Sequence, residues 1–228
     1  MMEKETIVIS LGGSIVVPEG PDYSFIIKFK KLIEKNLKKG KRFFIIVGGG
    51  KICRVYQESL TKIIDANKED LDWMGIYVTR TNAELLRLAL KEYTPSEIVT
   101  DSSVVSDLSN SVVVGAGWKP GCSTDTDAVL IAEELKAKKI INLSNTDYIY
   151  DSDPKVNPKA KKIEHITWEK YRSIITDKWT PGMNLPFDPV ASKRADELGI
   201  EVISISGRDL DSLDNCLNNK KFKGTTIK

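Results

Sequence analysis

One nine-residue stretch decides the fold of this chain: Phe43-Phe44-Ile45-Ile46-Val47-Gly48-Gly49-Gly50-Lys51. Five consecutive apolar residues are typical of a strand that is buried on both faces of a parallel sheet. The three glycines let the backbone approach a ligand closely because they carry no Cβ. A helical pattern follows, and its first turn offers unpaired N–H groups and the positive end of the helix dipole. Together with the charge of Lys51, the stretch predicts a site for an anion such as a phosphate.

A second strand, at the start of the chain, ends in the same way. Residues 6–11 show an apolar strand pattern that runs into Gly12-Gly13-Ser14. Neither glycine turn matches the P-loop or the dinucleotide-binding fingerprint. A single glycine turn between a strand and a helix is often only a tight turn. Two such turns after two strands indicate a bound phosphate chain, or two phosphorylated ligands that face each other.

The composition is that of an ordinary globular protein. Of the 228 residues, 29% are charged and 41% are hydrophobic, and the net charge of +2 favours neither nucleic acid nor membrane partners. Cys53, Cys122 and Cys216 are odd in number, far apart and without metal-ligand spacing, which predicts reduced thiols. The N-terminus shows no signal-peptide pattern, so the expected location is the cytoplasm. The single histidine, His165, is interpreted as structural.

Strand and helix patterns alternate along the chain. Strands are predicted at residues 6–11, 43–47, 97–100, 112–114, 139–143 and 200–205. Helices are predicted at residues 22–38, 51–64, 70–92, 125–137, 189–198 and 209–218. This alternation predicts an α/β fold with a mainly parallel sheet, helices on both faces and ligands at the carboxyl ends of the strands. Residues 151–188, rich in proline and aromatics, predict a long excursion that covers the site.

Three further segments beside predicted strands or helices carry reactive polar groups. Residues 116–125 contain glycines, a lysine, hydroxyls and Asp125, and they predict an oxyanion cradle, with Thr124 or Asp125 alternatively a helix cap. Residues 143–154 contain three aspartates and two tyrosines, and they predict either a polar turn or a surface for a nucleoside and a metal. Residues 182–189 again directly precede a helix.

Taken together, these segments predict phosphoryl transfer. That reaction needs two phosphate-bearing groups in line, donors around the moving charge and usually Mg²⁺. Lys51 and Arg54 are expected to hold phosphates, whereas Asp125 and Asp147 would orient donors or the water shell of the metal. The protein supplies little covalent chemistry in such a reaction, which suits a chain with one histidine.

The motifs occur in a characteristic order, which runs Gly12-Gly13-Ser14, Gly48-Gly49-Gly50-Lys51-x-x-x-Arg54, Asp72-x-x-Gly75-Ile76-x-x-Thr79-Arg80-x-Asn82-Ala83, G-x-x-P-G-x-S-T-D at 117–125 and S-N-x-D-x-x-Y-x-x-D-P at 144–154. This order resembles the amino-acid-kinase superfamily, and within it the archaeal-type UMP kinases. The resemblance spans nearly the whole chain, down to residues 224–227. It implies a three-layer α-β-α sandwich in a single domain, residues 1–228, with an acceptor-binding part at about 1–115 and an ATP-binding part at about 116–228.

The same resemblance implies an activity. It implies transfer of the γ-phosphate of ATP to UMP, with Mg²⁺ bound together with ATP, in a cytoplasmic homo-hexamer that contacts neither nucleic acid nor membrane. Position by position, it assigns ATP binding to Gly13, Ser14, Gly50, Arg54, Ser144, Asn145, Tyr150 and Asp153. It assigns UMP binding to Gly49, Asp72, Trp118, Lys119, Pro120, Gly121, Cys122, Ser123 and Thr124. Lys51, Asp125 and Asp147 are the expected catalytic residues, and no separate protein-bound metal site is expected.

The chain also departs from the family pattern at several positions. Ser10 stands where many relatives carry Lys or Asp, so a common phosphate-contacting lysine is absent and Lys51 or Lys193 would supply the charge. Tyr148 replaces a glycine on the nucleoside side, and Trp118 makes the acceptor segment bulkier. Two alternatives therefore stay open: a superfamily kinase with another small acceptor, and a nucleotide-binding storage or sensor protein without turnover.

Overall fold

The computed structural model describes residues 5–152, 157–175 and 186–228, and within these ranges strands and helices alternate as the sequence predicts. The strands are β1 (Glu5–Leu11), β2 (Lys41–Val47), β3 (Val112–Gly115), β4 (Lys139–Ser144), β5 (Ile149–Tyr150), β6 (Lys162–Ile163), β7 (His165–Ile166), β8 (Glu201–Ser206) and β9 (Thr225–Ile227). The α-helices are α1 (Gly13–Val16), α2 (Tyr23–Leu37), α3 (Gly50–Ile63), α4 (Lys68–Ala89), α5 (Thr124–Glu134), α6 (Trp168–Ile174), α7 (Pro189–Glu197) and α8 (Leu210–Leu217), and a 3₁₀ helix spans Ser102–Asp107.

Seven of these strands form one sheet in the order β3-β2-β1-β4-β8-β9-β7. The first five are parallel to one another, whereas β9 pairs antiparallel with β8 and parallel with β7. Strands β5 and β6 form a separate antiparallel hairpin. The predicted α/β class with a mainly parallel central sheet is therefore confirmed.

Helices cover both faces of the sheet, because side chains alternate along each buried strand. Ile7, Ile9 and Leu11 of β1 point into a core shared with α2 and α8. Val8, between them, belongs to a second core shared with α5, α6 and α7. Three layers follow directly from this alternation. None of the helices in the described ranges is long and apolar enough to cross a membrane.

The sheet differs from the sequence prediction in two places, at residues 97–100 and in the C-terminal tail. The strand predicted at 97–100 is reduced to one bridge between Val99 and Gly115, because the chain bends at residues 96–97 and only Val99 reaches the edge of β3. The C-terminal tail, for which no strand was predicted, contains β9, whose three residues are buried. Three residues are too few to show a period, so tertiary pairing with β8 decides this strand.

Candidate functional site

The two glycine turns lie against each other at the carboxyl ends of β1 and β2. We call residues 12–14 and 48–50 the glycine junction. A Cβ on Gly13 would lie 2.2 Å from the carbonyl oxygen of Gly48 and 2.4 Å from the amide nitrogen of Gly50. Gly50 has a φ of +67°, and its own Cβ would lie 2.5 Å from the carbonyl carbon of Gly13. Only glycine fits these two positions, so backbone packs directly on backbone.

Helix α3 begins within this junction, and among the described residues no side chain caps its first turn. Its N-cap residue is Gly49, which has no side chain to accept a hydrogen bond from the first turn. Unpaired N–H groups at a helix start, together with the helix dipole, form an anion site. Lys51, in the first turn, is exposed and pairs with Glu19, and it does not line the adjacent cleft.

Side chains of helix α4 hold the glycine junction and the loop after β3 by hydrogen bonds. The side-chain amide of Asn82, which is only 4% exposed, donates to the carbonyl oxygens of Gly48 at 2.9 Å and Gly49 at 3.3 Å. One turn earlier, Thr79 Oγ1 accepts a 2.9 Å hydrogen bond from the amide of Gly117. The motif that contains both side chains was noticed in the sequence, but no contact was predicted for either of them.

A cleft of about 540 Å³ runs along the carboxyl ends of the parallel strands. This position is the one expected for a ligand site in an open α/β sheet. The structure brings together thirteen of the predicted site residues at this cleft: Gly13, Ser14, Gly49, Gly50, Arg54, Asp72, Cys122, Ser123, Thr124, Asp125, Ser144, Asn145 and Tyr150. The described parts of the predicted excursion contribute to its wall as well, through Tyr171, Ile174, Ile175 and Pro186.

Other predicted site residues lie beside the cleft without lining it. These are Lys51, Trp118, Lys119, Pro120, Gly121 and Asp147. Asp147 is an exposed residue in the turn after β4, and the Lys119 ammonium stacks on the Trp118 ring at 3.9 Å. Asp153 and residues 182–185 lie outside the described residues.

Helices α3 and α4 form one side of the cleft, which we call the helix trough. From α3 it contains Gly50, Cys53, Arg54 and Gln57, and from α4 it contains Asp72, Gly75, Ile76 and Thr79. Both sets follow the spacing of one helix face. Sequence reasoning assigned three of these residues to the site, Gly50, Arg54 and Asp72. It quoted four others without a site role, and it did not mention Gln57. Extending the helical period from Gly50 and from Asp72 would have found these five.

Asp72 connects the trough to the loop after β3. Its carboxylate accepts a 2.8 Å hydrogen bond from the amide of Gly121. Burial raises the pKa of the carboxyl group, and the bond from Gly121 opposes that rise. Arg80 binds the same loop through the carbonyl oxygens of Gly117 at 3.4 Å and Trp118 at 3.1 Å. The loop that carries the predicted acceptor residues is therefore positioned by α4.

A cluster of three carboxylates lies where α5 begins. The N-cap of α5 is Ser123, whose Oγ accepts from the amide of Thr126, so the alternative that Thr124 or Asp125 caps this helix is wrong. The Asp125 carboxylate instead accepts 2.8 Å and 3.2 Å hydrogen bonds from Ser10 Oγ and the amide of Asp188. Burial and the neighbouring Asp188 charge raise the pKa of Asp125.

Asp127 is the third member of this cluster, and it has an incomplete set of partners. Its Oδ2 accepts from the amide of Trp118 at 3.3 Å, while its buried Oδ1 has no hydrogen-bond partner within the described part of the chain. Burial raises the pKa of Asp127 to about 7, and the charges of Asp188 and Asp125 add to the rise. This acid was not noticed in the sequence, because a single Asp inside a helical pattern reads as surface charge.

The segment after β4 forms the opposite end of the cleft from the trough. Residues 144–146 and 148–152 line it, and Gly12 donates a 2.9 Å backbone hydrogen bond to Leu143 at the end of β4. Ser144 is fixed through its carbonyl oxygen, which accepts from Gly207 at 2.8 Å. Thus the glycine junction lies between two compartments, the helix trough and the segment 144–152.

Comparison with known proteins agrees with this geometry. The amino acid kinase family matches residues 5–206. Uridylate kinase from Pyrococcus abyssi is 36% identical over 225 residues, covering 97% of this chain and 98% of the relative. Uridylate kinase from Thermoplasma volcanium is 35% identical and covers 98% and 97% of the two chains.

Solved structures give the same result. The crystal structure of uridylate kinase from Archaeoglobus fulgidus superimposes with a TM-score of 0.83 at 32% identity, covering 97% of this chain and 99% of that one. The resemblance predicted from the motifs is therefore confirmed, and it extends over almost the full length. This chain belongs to the amino acid kinase family.

Proposed function

We propose that this protein transfers the γ-phosphate of ATP to UMP, giving UDP and ADP. One observation carries the proposal: a backbone-built anion site, the glycine junction, lies between two compartments of a single cleft. In-line phosphoryl transfer needs this arrangement, with a donor and an acceptor meeting at their phosphates. The relatives named uridylate kinase, which match almost the full length, support UMP as the acceptor.

In this proposal ATP occupies the end of the cleft formed by the segment after β4. Gly13, Ser14 and Gly50 would surround its phosphates with backbone amides, and Arg54 would lie between the two nucleotides. Ser144, Asn145, Tyr150 and Asp153 would hold the nucleoside. Three of these last four lie at the cleft, which supports their assignment.

The acceptor would occupy the helix trough. Asp72 belongs to the trough, and Gly49 lines the cleft beside it, together with Cys122, Ser123 and Thr124 from the loop after β3. Trp118, Lys119, Pro120 and Gly121 would act by shaping that loop rather than by lining the cleft. The acceptor part of the chain, about residues 1–115, would thus need help from the first residues of the ATP part, about 116–228.

The residues of the chain would act on charge and position rather than by covalent chemistry. Amides at the start of α3 and the Arg54 guanidinium would stabilise the charge that develops on the transferred group. Lys51 would join them by exchanging its exposed partner Glu19 for a phosphate, an exchange of low cost because exposed ion pairs contribute little. Asp125, which lines the cleft, would orient these donors from the start of α5.

We further propose that Mg²⁺ enters with ATP, where it would neutralise phosphate charge. Among the described residues, no group of three or more His, Cys, Asp or Glu side chains could hold a metal ion. Mg²⁺ commonly binds through substrate phosphates and one or two carboxylates, and Asp125 and Asp147 are the carboxylates that would contact its water shell. In that case Asp147→Asn lowers kcat while ATP binding is largely retained, and unchanged turnover would remove Asp147 from this role.

A cytoplasmic homo-hexamer is the expected assembly. Large apolar side chains are exposed on the outer faces of α3 and α4, among them Tyr56, Ile63, Trp73 and Tyr77. Patches of this kind often mark interfaces between proteins. Sedimentation equilibrium of the purified protein tests the assembly, and a monomer at micromolar concentration would contradict it.

The function itself is tested with ATP, Mg²⁺ and a panel of nucleoside and non-nucleoside acceptors. The proposal predicts UMP-dependent release of ADP. Release with a different acceptor only would indicate another kinase of the family. ATP binding without any release of ADP would indicate a storage or sensor protein.

A further inference from the structure

Helix α3 places four residues along the cleft, at increasing distances from the start of the helix. Gly50 comes first, Cys53 and Arg54 follow one turn later, and Gln57 follows one turn after that. Gln57 is seven residues from Gly50, so it lies about 10 Å further along the helix axis, at 1.5 Å per residue. If the phosphate of the acceptor binds at the start of α3, Gln57 lies about as far from that phosphate as the base of the acceptor does.

The amide of Gln57 is held in one orientation. The side chain is 9% exposed, and its Nε2 donates a 2.8 Å hydrogen bond to the carbonyl oxygen of Leu71. A carbonyl oxygen can only accept, so the nitrogen end of the amide must face Leu71. Within the part of the chain that the structure describes, no group donates to Gln57 Oε1. This residue thus offers the trough one fixed acceptor and a second amide N–H.

The Gln57 amide packs closely against helix α4 and lies at the wall of the cleft. The facing residue on α4 is Gly75, where a Cβ would lie 3.0 Å from Gln57 Nε2 and 3.2 Å from Cys53 Sγ. Ile76 adds an apolar wall, and Asp72 adds a carboxylate one turn before it. A pocket with apolar walls and a few fixed polar groups is typical of selective small-molecule sites.

We propose that Gln57 determines the specificity for the acceptor base, with Oε1 accepting the N3–H of a uracil ring and the free amide N–H donating to a ring carbonyl. This inference rests on the proposed function. Cytosine carries a lone pair at N3, which would face Oε1 without a proton between them. Turning the amide over would place its oxygen against the carbonyl of Leu71 and break that bond. Unpaired buried polar groups of this kind give strong discrimination.

The first test uses the unmodified protein. Its kcat/KM is measured with UMP, CMP and N3-methyl-UMP at saturating ATP. CMP and N3-methyl-UMP are expected to fall below UMP by about tenfold or more, because each lacks the N3–H donor. Equal kcat/KM for UMP and N3-methyl-UMP would overturn the role of Gln57. Absence of turnover with UMP itself would instead contradict the proposed function.

The second test uses Gln57→Leu, with Glu58→Gln as the matched control on the exposed face of α3. Gln57→Leu is expected to reduce the ratio of kcat/KM for UMP over N3-methyl-UMP by about tenfold, with the KM for ATP unchanged. Glu58→Gln should retain the ratio of the unmodified protein. If Gln57→Leu folds and keeps the full ratio, the assignment is wrong. If Gln57→Leu does not fold, the kcat/KM of the unmodified protein with N3-methyl-UMP still tests the assignment.

Discussion

The two halves of the cleft wall are built by opposite means. The glycine junction consists of backbone packed on backbone, and Gly13 and Gly50 cannot accept even one added carbon atom. The helix trough consists of side chains placed at helical spacing on α3 and α4. The junction therefore suits a group common to all its ligands, the phosphate. The trough is built from side chains, so a substitution can change its shape and polarity, and it is where acceptor selectivity would lie.

A substitution in the glycine junction should have the largest effect on stability and turnover. Gly13→Ala places Cβ 2.2 Å from the Gly48 carbonyl oxygen, so two strand ends must separate. We expect a loss of about 4 kcal/mol or more in the free energy of unfolding, and loss of turnover, measured by denaturant titration and ADP release. Gly20→Ala is the matched control, because nothing lies within 4 Å of its added Cβ, and it should change stability by less than about 0.5 kcal/mol. Equal behaviour of the two variants would contradict the packing described.

The support behind the junction comes next. Asn82→Ala removes the two hydrogen bonds to Gly48 and Gly49 and leaves a buried carbonyl oxygen unpaired. The expected loss is roughly 1–3 kcal/mol in the free energy of unfolding, with a lower kcat for both substrates. The adjacent Thr81→Ala, on the exposed face of α4, serves as the control. A normal kcat in Asn82→Ala would show that the junction does not depend on α4.

A substitution in the helix trough should instead change the KM of one substrate only. Asp72→Ala removes the acceptor of the Gly121 hydrogen bond, so the loop after β3 loses its tie to α4. We expect the KM for UMP to rise about tenfold while the KM for ATP stays the same. Glu69→Ala, an exposed change on the same helix, should alter neither constant. A rise in the KM for ATP alone would reverse the assignment of the two compartments.

The smallest expected effect concerns Asp127, which is buried beside the trough. Its pKa of about 7 exceeds the ordinary value of 3.8, so the folded protein holds a proton between these pH values that the unfolded chain has released. Stability is therefore lost as pH rises from about 4 to about 7. Asp127→Asn removes this group, and we expect it to be more stable than the unmodified protein at pH 8 by about 1 kcal/mol.

Thermal and denaturant unfolding at pH 5 and pH 8 measure this difference. Asp107→Asn makes the same chemical change at an exposed position and serves as the control. Asp125 and Asp188 also have raised pKa values, so some of the slope remains in Asp127→Asn. An unchanged slope in Asp127→Asn would show that Asp127 does not titrate in this range.

The sequence predicts the junction better than the trough for a physical reason. The glycine turns are contiguous and follow buried strands, so both their position and their chemistry can be read locally. The class of fold follows from the same strands. Gln57 and Gly75 lie together at the cleft only because α3 and α4 pack against each other. The helical period places each on one face of its own helix, but it does not show that the two faces meet. Lys51 also lies beside Gly50, and its side chain pairs with Glu19, so its predicted phosphate contact stays a prediction.

Contacts between residues that are distant in sequence explain the other differences between the predictions and the structure. Ser10 was noted only as the replacement for a lysine, whereas its hydroxyl binds Asp125 across 115 residues of sequence. The strand β9 likewise depends on a partner that is distant in sequence, β8. The Ser123 hydroxyl, which caps α5, also donates to Asp188, 65 residues further along the chain. Local propensity carries no information about such partners.

A crystal structure with UMP bound tests the central claim most directly. We expect the phosphate of UMP at Gly49 and Arg54, its ribose beside Asp72 and its base against Gln57 in the helix trough. A base bound instead against residues 144–152, with the helix trough empty, would contradict it.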